Sequence, residues 1–472
     1  MPDGCLAPDQ RNHDRRHCDQ MDSPRIVIVG AGPCGLGCGR ELSRLGHDNW
    51  VIVERSHSPG GHAGSELDSA GFTWDQGGHV VFSHYGEFDR LLDEVMGDDV
   101  YHHERSSYIR FDDRWIPYPF QNNLRYLPSE IAYECVLGLI EAPGGDPRSD
   151  FALWMDAVFG GGITHHFMRP YNFKVWATPP ERMAAGWIGE RVSVVDYRRA
   201  LRSVIFEEDD AAWGPNNLFL FPAEGGTGEI YRRVAARLGD HVLYGRELTE
   251  VDSEEKRLRF TDGAEESYDV LLSTMPLDKL VRSLLHCPDN VRAAGSALEH
   301  NGVYIVGVGY ETPLKDDKSW MYFPQDHAPF YRATNFAKYA PANVPDGDTA
   351  RFCAYMTETS YSRYKDEPRE GLEERVEEGL RAAGVVSGRP RVASTHVIDV
   401  DYAYPVPTLE RDAALARIQP WLMAQDIYSR GRFGSWKYEI GNMDHAVKMG
   451  IDVARLVLRG APEEVWSLGD RN

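Results

Sequence analysis

Residues 25–54 open with Arg25-Ile26-Val27-Ile28-Val29-Gly30-Ala31-Gly32-Pro33-Cys34-Gly35 and close with Val51-Ile52-Val53-Glu54. The first apolar run fits a buried parallel strand and the second run its neighbour, with a helix from about Leu36 to Leu45 between them. Together they make a βαβ unit. In the turn, Gly30 permits a tight reversal. Gly32 lets the backbone approach a pyrophosphate, and Gly35 lets the helix pack closely on the strand. The helix start offers free N–H groups and partial positive charge to phosphates, and Pro33 in the turn joins the candidate cofactor contacts. Glu54 follows Gly32 by about 22 residues, where a carboxylate binds ribose hydroxyls. An acid there argues against a 2′-phosphate.

Pro59-Gly60-Gly61 comes soon after the second strand. A second glycine pair at this place favours FAD over NAD, because such flavoproteins thread the chain past the cofactor there. Arg55 and Gly61 join the candidate cofactor contacts. Near the other end, Gly441-Asn442-Met443-Asp444-His445 precedes an apolar-faced helix running to about Leu458. Its N-terminus is expected to face the flavin and to stabilise negative charge on it.

Working outward, Glu87 to Val95 reads as a helix and Ser107 to Pro117 as a hairpin turning at Asp112-Asp113. Helical periodicity dominates from Glu130 to Met183, broken at Gly144-Gly145 and Gly160-Gly161-Gly162. Val242 to Thr274 reads as a β-meander returning to the first sheet, after a helix at Gly228–Leu238. Further strands are expected over Asn301–Tyr310, Arg351–Met356 and Thr395–Val400, and a helix over Glu370–Ala383. Pro341 to Asp348 reads as a polar loop.

The fold class expected is α/β. A Rossmann-like FAD-binding domain (23–105, 217–290 and 427–465) carries an inserted helical domain (118–212). An antiparallel β-sheet substrate domain (106–117 and 291–426) completes it, and residues 1–22 read as a disordered tail.

The 472 residues carry a net charge of −22. So acidic a surface repels nucleic acid and anionic membranes, and neither is expected as a partner. It also repels phosphorylated metabolites, so a phosphate site must be built locally from arginines and helix N-termini. No apolar run reaches a membrane span, and residues 1–22 lack the apolar segment of a secretion signal. Seven cysteines form no disulfide framework, so Cys34 and Cys38 read as small buried thiols in a reducing cytoplasm. No metal-ligand cluster is read from the sequence.

Five longer strings carry a resemblance. They are Gly77–Tyr85 (GGHVVFSHY), Pro117–Asn123 (PYPFQNN), Arg169–Ala177 (RPYNFKVWA), Trp213–Asn216 with Phe221–Gly228 (WGPN and FPAEGGTG), and Arg430–Glu439 (RGRFGSWKYE). In order and along nearly the whole chain, they resemble the UDP-galactopyranose mutases, the eukaryotic-type branch above all. The resemblance implies an FAD enzyme active when reduced, with NADPH or NADH as candidate reductant. It implies interconversion of UDP-galactopyranose and UDP-galactofuranose through a covalent adduct between flavin N5 and the sugar. Tyr118 and Gln121 match the family's uracil contacts. Phe167, Tyr171, Asn172 and Trp176 match the helical segment beside nucleotide and flavin. Arg191 and Arg332 match the pyrophosphate arginines, and Tyr322, Tyr404 and Tyr438 the surrounding tyrosines. Asn216 matches a loop residue closing near the sugar, and Arg432 an arginine near flavin and galactose. Gly78, His79 and His84 match the strand beside the flavin. Arg332, Arg191, Arg432, His79 and Asn216 are thus the candidate catalytic residues. A homo-oligomer is compatible with this reading.

Departures from the family pattern bear on the sugar: His62 stands where leucine is usual, and Met443 replaces a glutamine. Alternatives therefore stay open: the same chemistry on another nucleotide hexose or deoxyhexose, a hydrolase that releases the sugar from the flavin, or an amine oxidase-like flavoenzyme.

Overall fold

A computed structural model describes residues 23–468 except 149, 211–213 and 215–216. The tail 1–22 and Asn216 therefore lie outside the described residues. The first sheet is five-stranded and parallel, in the order Ile427–Ser429, Val270–Ser273, Ile26–Val29, Trp50–Val53, Val242–Leu243. Its central strands are buried along their whole length. Ile26 and Ile28 point into one apolar cluster, and Val27 and Val29 into the cluster on the opposite face. A strand buried on both faces needs a continuous apolar run, which is what residues 26–29 supply.

The helix Pro33–Arg44 packs on the first of these faces and crosses the long helix Met443–Arg459. Small residues make the crossing close. A Cβ at Gly450 would come 2.0 Å from the Cys34 carbonyl oxygen, and one at Gly37 2.6 Å from that of Val447. Cys34 and Cys38 are buried free thiols in this crossing. The N-termini of both helices open on one cavity.

A seven-stranded sheet forms the second layer, in the order Arg391–Pro405, His300–Glu311, Cys353–Tyr361, Arg332–Asn335, Trp320–Tyr322, Ser107–Phe111, Arg114–Pro117. The expectation of a purely antiparallel sheet needs one correction. Trp320–Tyr322 pairs with Ser107–Phe111 in parallel, because the hairpin 107–117 joins the sheet edge from a distant part of the chain. Arg391–Pro405 is longer than Thr395–Val400, since it pairs along nearly all of His300–Glu311.

Helices Ser129–Glu141, Phe151–Ile163, Arg169–Trp176 and Tyr197–Phe206 contribute to a third core with residues of the hairpin. The helical run is broken at Gly160-Gly161-Gly162, as expected: Gly160, at φ 66° and ψ 178°, kinks Phe151–Ile163, and a Cβ there would meet the Gly138 carbonyl oxygen at 1.9 Å. The glycines thus serve a helix crossing. Residues 341–348 fold into two short 3₁₀ turns with Asn343 and Val344 buried, so they are less of a polar loop than expected.

Overpacking a tight crossing costs about 1–3 kcal/mol. Gly450→Val is therefore expected to lower the melting temperature by several degrees and to weaken flavin retention. Gly161→Ala, which meets nothing within 4 Å, should do neither. Thermal melts and the visible absorbance of the purified variants check both.

Candidate functional site

A cavity of about 1240 Å³ lies at the carboxyl ends of the parallel strands, walled on its other side by the seven-stranded sheet. This is the ligand position expected of an open α/β sheet. Gly30, Gly32, Pro33, Glu54, Arg55 and Gly61 line its inner end. Gly30 has φ +106° and turns the chain out of the first strand. A Cβ at Gly32 would face the Gly60 carbonyl oxygen at 3.9 Å, so the crevice narrows there to backbone on both sides. Gly35 lies behind the wall, where a Cβ would strike the Gly30 carbonyl oxygen at 1.9 Å. The Glu54 carboxylate accepts from the Ala31 amide at 2.7 Å and the Ser56 amide at 2.8 Å. It keeps lone pairs for ribose hydroxyls.

Gly78, His79, Arg432, Gly441, Asn442 and Met443 line the middle. His79 Nδ1 is buried without a hydrogen-bond partner. Buried polar nitrogens are ordinarily satisfied, so this one is placed to pair with a bound group. The narrow glycine crevice, the ribose-type carboxylate and this orphan nitrogen fit a flavin dinucleotide.

Of the arginines that line the cavity, Arg191, Arg332 and Arg432 flank its tyrosine cluster. Arg191 donates to Asn442 Oδ1 at 3.3 Å and to the Glu439 carbonyl at 2.9 Å. Arg432 donates to the carbonyls of Ala403 and Gly441 at 3.1–3.2 Å. These acceptors are neutral, so both charges stay available to an anion. Arg332 differs. Strand register sets it opposite Glu358 on one side and Tyr322 on the other. Its Nε lies 2.7 Å and its Nη2 2.5 Å from Glu358 Oε1. The same carboxylate accepts from the Gly78 amide at 2.9 Å and from Tyr331 Oη. Tyr331 Oη in turn lies 3.2 Å from Tyr404 Oη. Tyr438 stacks beneath the Arg191 guanidinium at 4.4 Å, and Arg432 sits over Tyr404 at 5.0 Å.

Tyr118 and Tyr322 pack 5.2 Å apart on the outer wall. Five other expected site residues stand behind that wall. The Gln121 amide is spent on the Ser193 carbonyl at 2.5 Å, and that of Asn172 on the Met168 carbonyl at 2.7 Å. Phe167 stacks on Tyr171, and Tyr171 meets Tyr322 edge-on at 5.6 Å. Trp176 abuts Tyr438 at 4.8 Å. Asn172 bonds back to the preceding turn, and Phe167 and Trp176 pack into the third core. His84 and His445 line the cavity and share the buried Asp444 carboxylate.

Sequence reading missed Glu358 and Lys174. Glu358 lies in a strand whose pattern shows no turn or motif, and only the pairing with Arg332 reveals it. Lys174 is inside a quoted string, but its bonds are long-range. Its ammonium donates to the carbonyls of Phe323, Gln325 and Ala328 at 2.8–3.0 Å. Burial pulls it down to about 7. Three carbonyl oxygens nevertheless demand three N–H groups, which only the ammonium supplies.

Residues 33–458 match the family described as flavin containing amine oxidoreductase. A crystal structure of reduced UDP-galactopyranose mutase has a TM-score of 0.91 at 38% identity, covering 95% of this chain and 97% of that one. A CLA-producing fatty acid isomerase from P. acnes has a TM-score of 0.64 at 17% identity, covering 92% and 99%, and shares the fold alone. The 15-cis-phytoene desaturase of Synechococcus elongatus is 30% identical over 106 residues. That match spans 20% of this chain and 22% of the desaturase, about a fifth of that curated relative.

The cavity and the family match define an FAD-binding flavoprotein of the amine oxidoreductase type. Within that class the chain belongs to the UDP-galactopyranose mutases, and it is a flavin-dependent mutase of the isomerase class. Among the described residues, no helix is long and apolar enough to cross a membrane.

Burial, reinforced by Arg432, pulls His62 down to about 4. Burial and the Arg432 and Arg332 charges pull His79 down to about 3. Both folded values lie below the ordinary 6.5, so the unfolded chain binds more protons between them. The stability these groups contribute is complete above about pH 6.5 and falls as pH drops toward 4 and 3. Neither ring should titrate between pH 5.5 and 8 in ¹⁵N-histidine NMR spectra; a midpoint for either inside that range would refute the assignment.

Proposed function

We propose that this chain interconverts UDP-galactopyranose and UDP-galactofuranose on reduced FAD. The observation that carries this is one cavity joining the flavin cradle to three guanidiniums and a tyrosine cluster. Bound and reduced, FAD supplies an N5 nucleophile able to take the anomeric carbon from the diphosphate. NADPH or NADH is the proposed reductant.

The protein's own part is to bind, orient and keep out water. Arg191 and Arg332 hold the diphosphate before and after it leaves, so it stays within reach for return. Tyr322, Tyr404 and Tyr438 add hydrogen-bond donors without charge. Glu358 orients Arg332 and, through the Gly78 amide, the irregular segment that carries His79. Arg432 and the helix N-terminus at Asn442 and Met443 favour an anionic flavin. His79, kept neutral, serves as an acceptor with no need to act as acid or base. Tyr118 stacks on uracil. Gln121, Phe167, Asn172 and Trp176 act from behind, by fixing the wall. Tyr118, Trp320 and Tyr322 shield the reacting centre from water, which would otherwise yield free sugar.

The test is to reduce the purified protein with dithionite and supply UDP-galactofuranose. UDP-galactopyranose is expected; free galactose alone would point to a hydrolase. Losing a buried, hydrogen-bonded charge contact costs about 2–5 kcal/mol. Arg332→Ala is therefore expected to lower kcat/KM at least about 30-fold while the flavin stays bound. Full activity in both Arg332→Ala and Arg191→Ala would overturn the diphosphate assignment.

Glu358→Gln keeps the shape and removes the charge that orients Arg332. It should raise KM for the nucleotide sugar more than it changes flavin content. Steady-state kinetics beside flavin absorbance separates the two.

A further inference from the structure

We propose that His84, Asp444 and His445 form a binding site for one late first-row divalent metal ion, of the zinc or nickel type. Asp444 and His445 open the helix Met443–Arg459, and His84 reaches them from the loop between the Val81 bridge and the helix Gly86–Val95. His84 Nδ1 lies 2.7 Å from Asp444 Oδ2, and His445 Nδ1 lies 3.1 Å from Asp444 Oδ1. The ligand atoms of all three lie within 4.8 Å of one another, and the two rings are 5.2 Å apart. Each carboxylate oxygen thus faces one imidazole nitrogen. The set is two nitrogens around a chelating carboxylate.

The charge balance favours a cation. The Asp444 side chain is 1% exposed, and its carboxylate meets the two imidazoles and accepts from the His84 amide at 3.0 Å. Lys448, one turn along the helix, is taken by Asp452 at 2.6 Å and Glu464 at 2.9 Å. On binding a divalent ion, each neutral imidazole presents its Nδ1 lone pair to the metal and carries its single proton on Nε2, so no proton need leave the site. With metal–ligand bonds of about 2.0–2.2 Å, neighbouring ligand atoms stand roughly 3.4 Å apart, so the 2.7 and 3.1 Å contacts open and the widest separation, within 4.8 Å, draws in.

Two imidazoles select zinc, nickel or cobalt over magnesium and calcium, which prefer oxygen-rich cages. His84 and His445 both line the cavity beside Asn442 and Met443, so the open coordination positions face it. The ion would add one more fixed positive charge to an anion cavity in a chain of net charge −22. No step proposed for the sugar reaction requires it, so the two proposals stand or fall apart.

The test uses untagged, FAD-loaded protein stripped with chelator and titrated calorimetrically with ZnCl₂, then with MgCl₂. Wild type is expected to bind one equivalent of zinc at micromolar Kd or tighter, and magnesium far more weakly. His84→Ala and His445→Ala should each weaken zinc binding at least about tenfold, with flavin absorbance and melting curve confirming the fold. Absence of saturable zinc binding by wild type, unchanged binding in both variants, or magnesium binding as tight as zinc would each overturn the site.

Discussion

Everything in this molecule depends on how closely two helices pass. Pro33–Arg44 and Met443–Arg459 come from opposite ends of the chain, yet their N-termini open on one cavity. Gly37 and Gly450 bring backbone within reach of backbone, at distances no larger side chain permits. Two sets of unsatisfied N–H groups and two positive helix ends then point at the same ligand volume. A bulkier crossing would splay the helices and leave a dinucleotide gripped at one end only.

The second requirement is electrostatic. A strongly acidic chain repels the anions it is proposed to hold, so its cations must be fixed and uncancelled where they count. Arg191 and Arg432 rest on carbonyl and amide oxygens, which orient a guanidinium without neutralising it. Arg332 is handled differently, being tethered by Glu358. The tether limits its charge and fixes its direction, which suits positioning better than raw attraction.

The dinucleotide unit was legible because its physics is local. Strand, glycine turn, helix and acidic terminus follow within residues 25–54, each constrained by near neighbours. Of the quoted strings, Gly77–Tyr85 and Arg430–Glu439 reach the cavity wall, whereas Arg169–Ala177 stands behind it. What escaped depends on register and distance. The Arg332–Glu358 pair exists only because two strands align at that step. Lys174 finds its three carbonyls about 150 residues away. The parallel join of Trp320–Tyr322 to Ser107–Phe111 is likewise invisible to any pattern within one segment. The family resemblance implies that Gln121 and Asn172 are pocket residues. Chain direction turns both toward backbone carbonyls instead.

Glu358 belongs at once to two neighbourhoods, since one oxygen serves both the Gly78 amide beside the cofactor wall and the Arg332 guanidinium. A shared acceptor makes the two neighbourhoods thermodynamic partners. Any ligand that draws Arg332 away frees electron density for the amide, and any change at the amide is felt by the guanidinium. Linkage then demands reciprocity: the factor by which nucleotide alters the poise of the cofactor equals the factor by which the cofactor's poise alters nucleotide affinity.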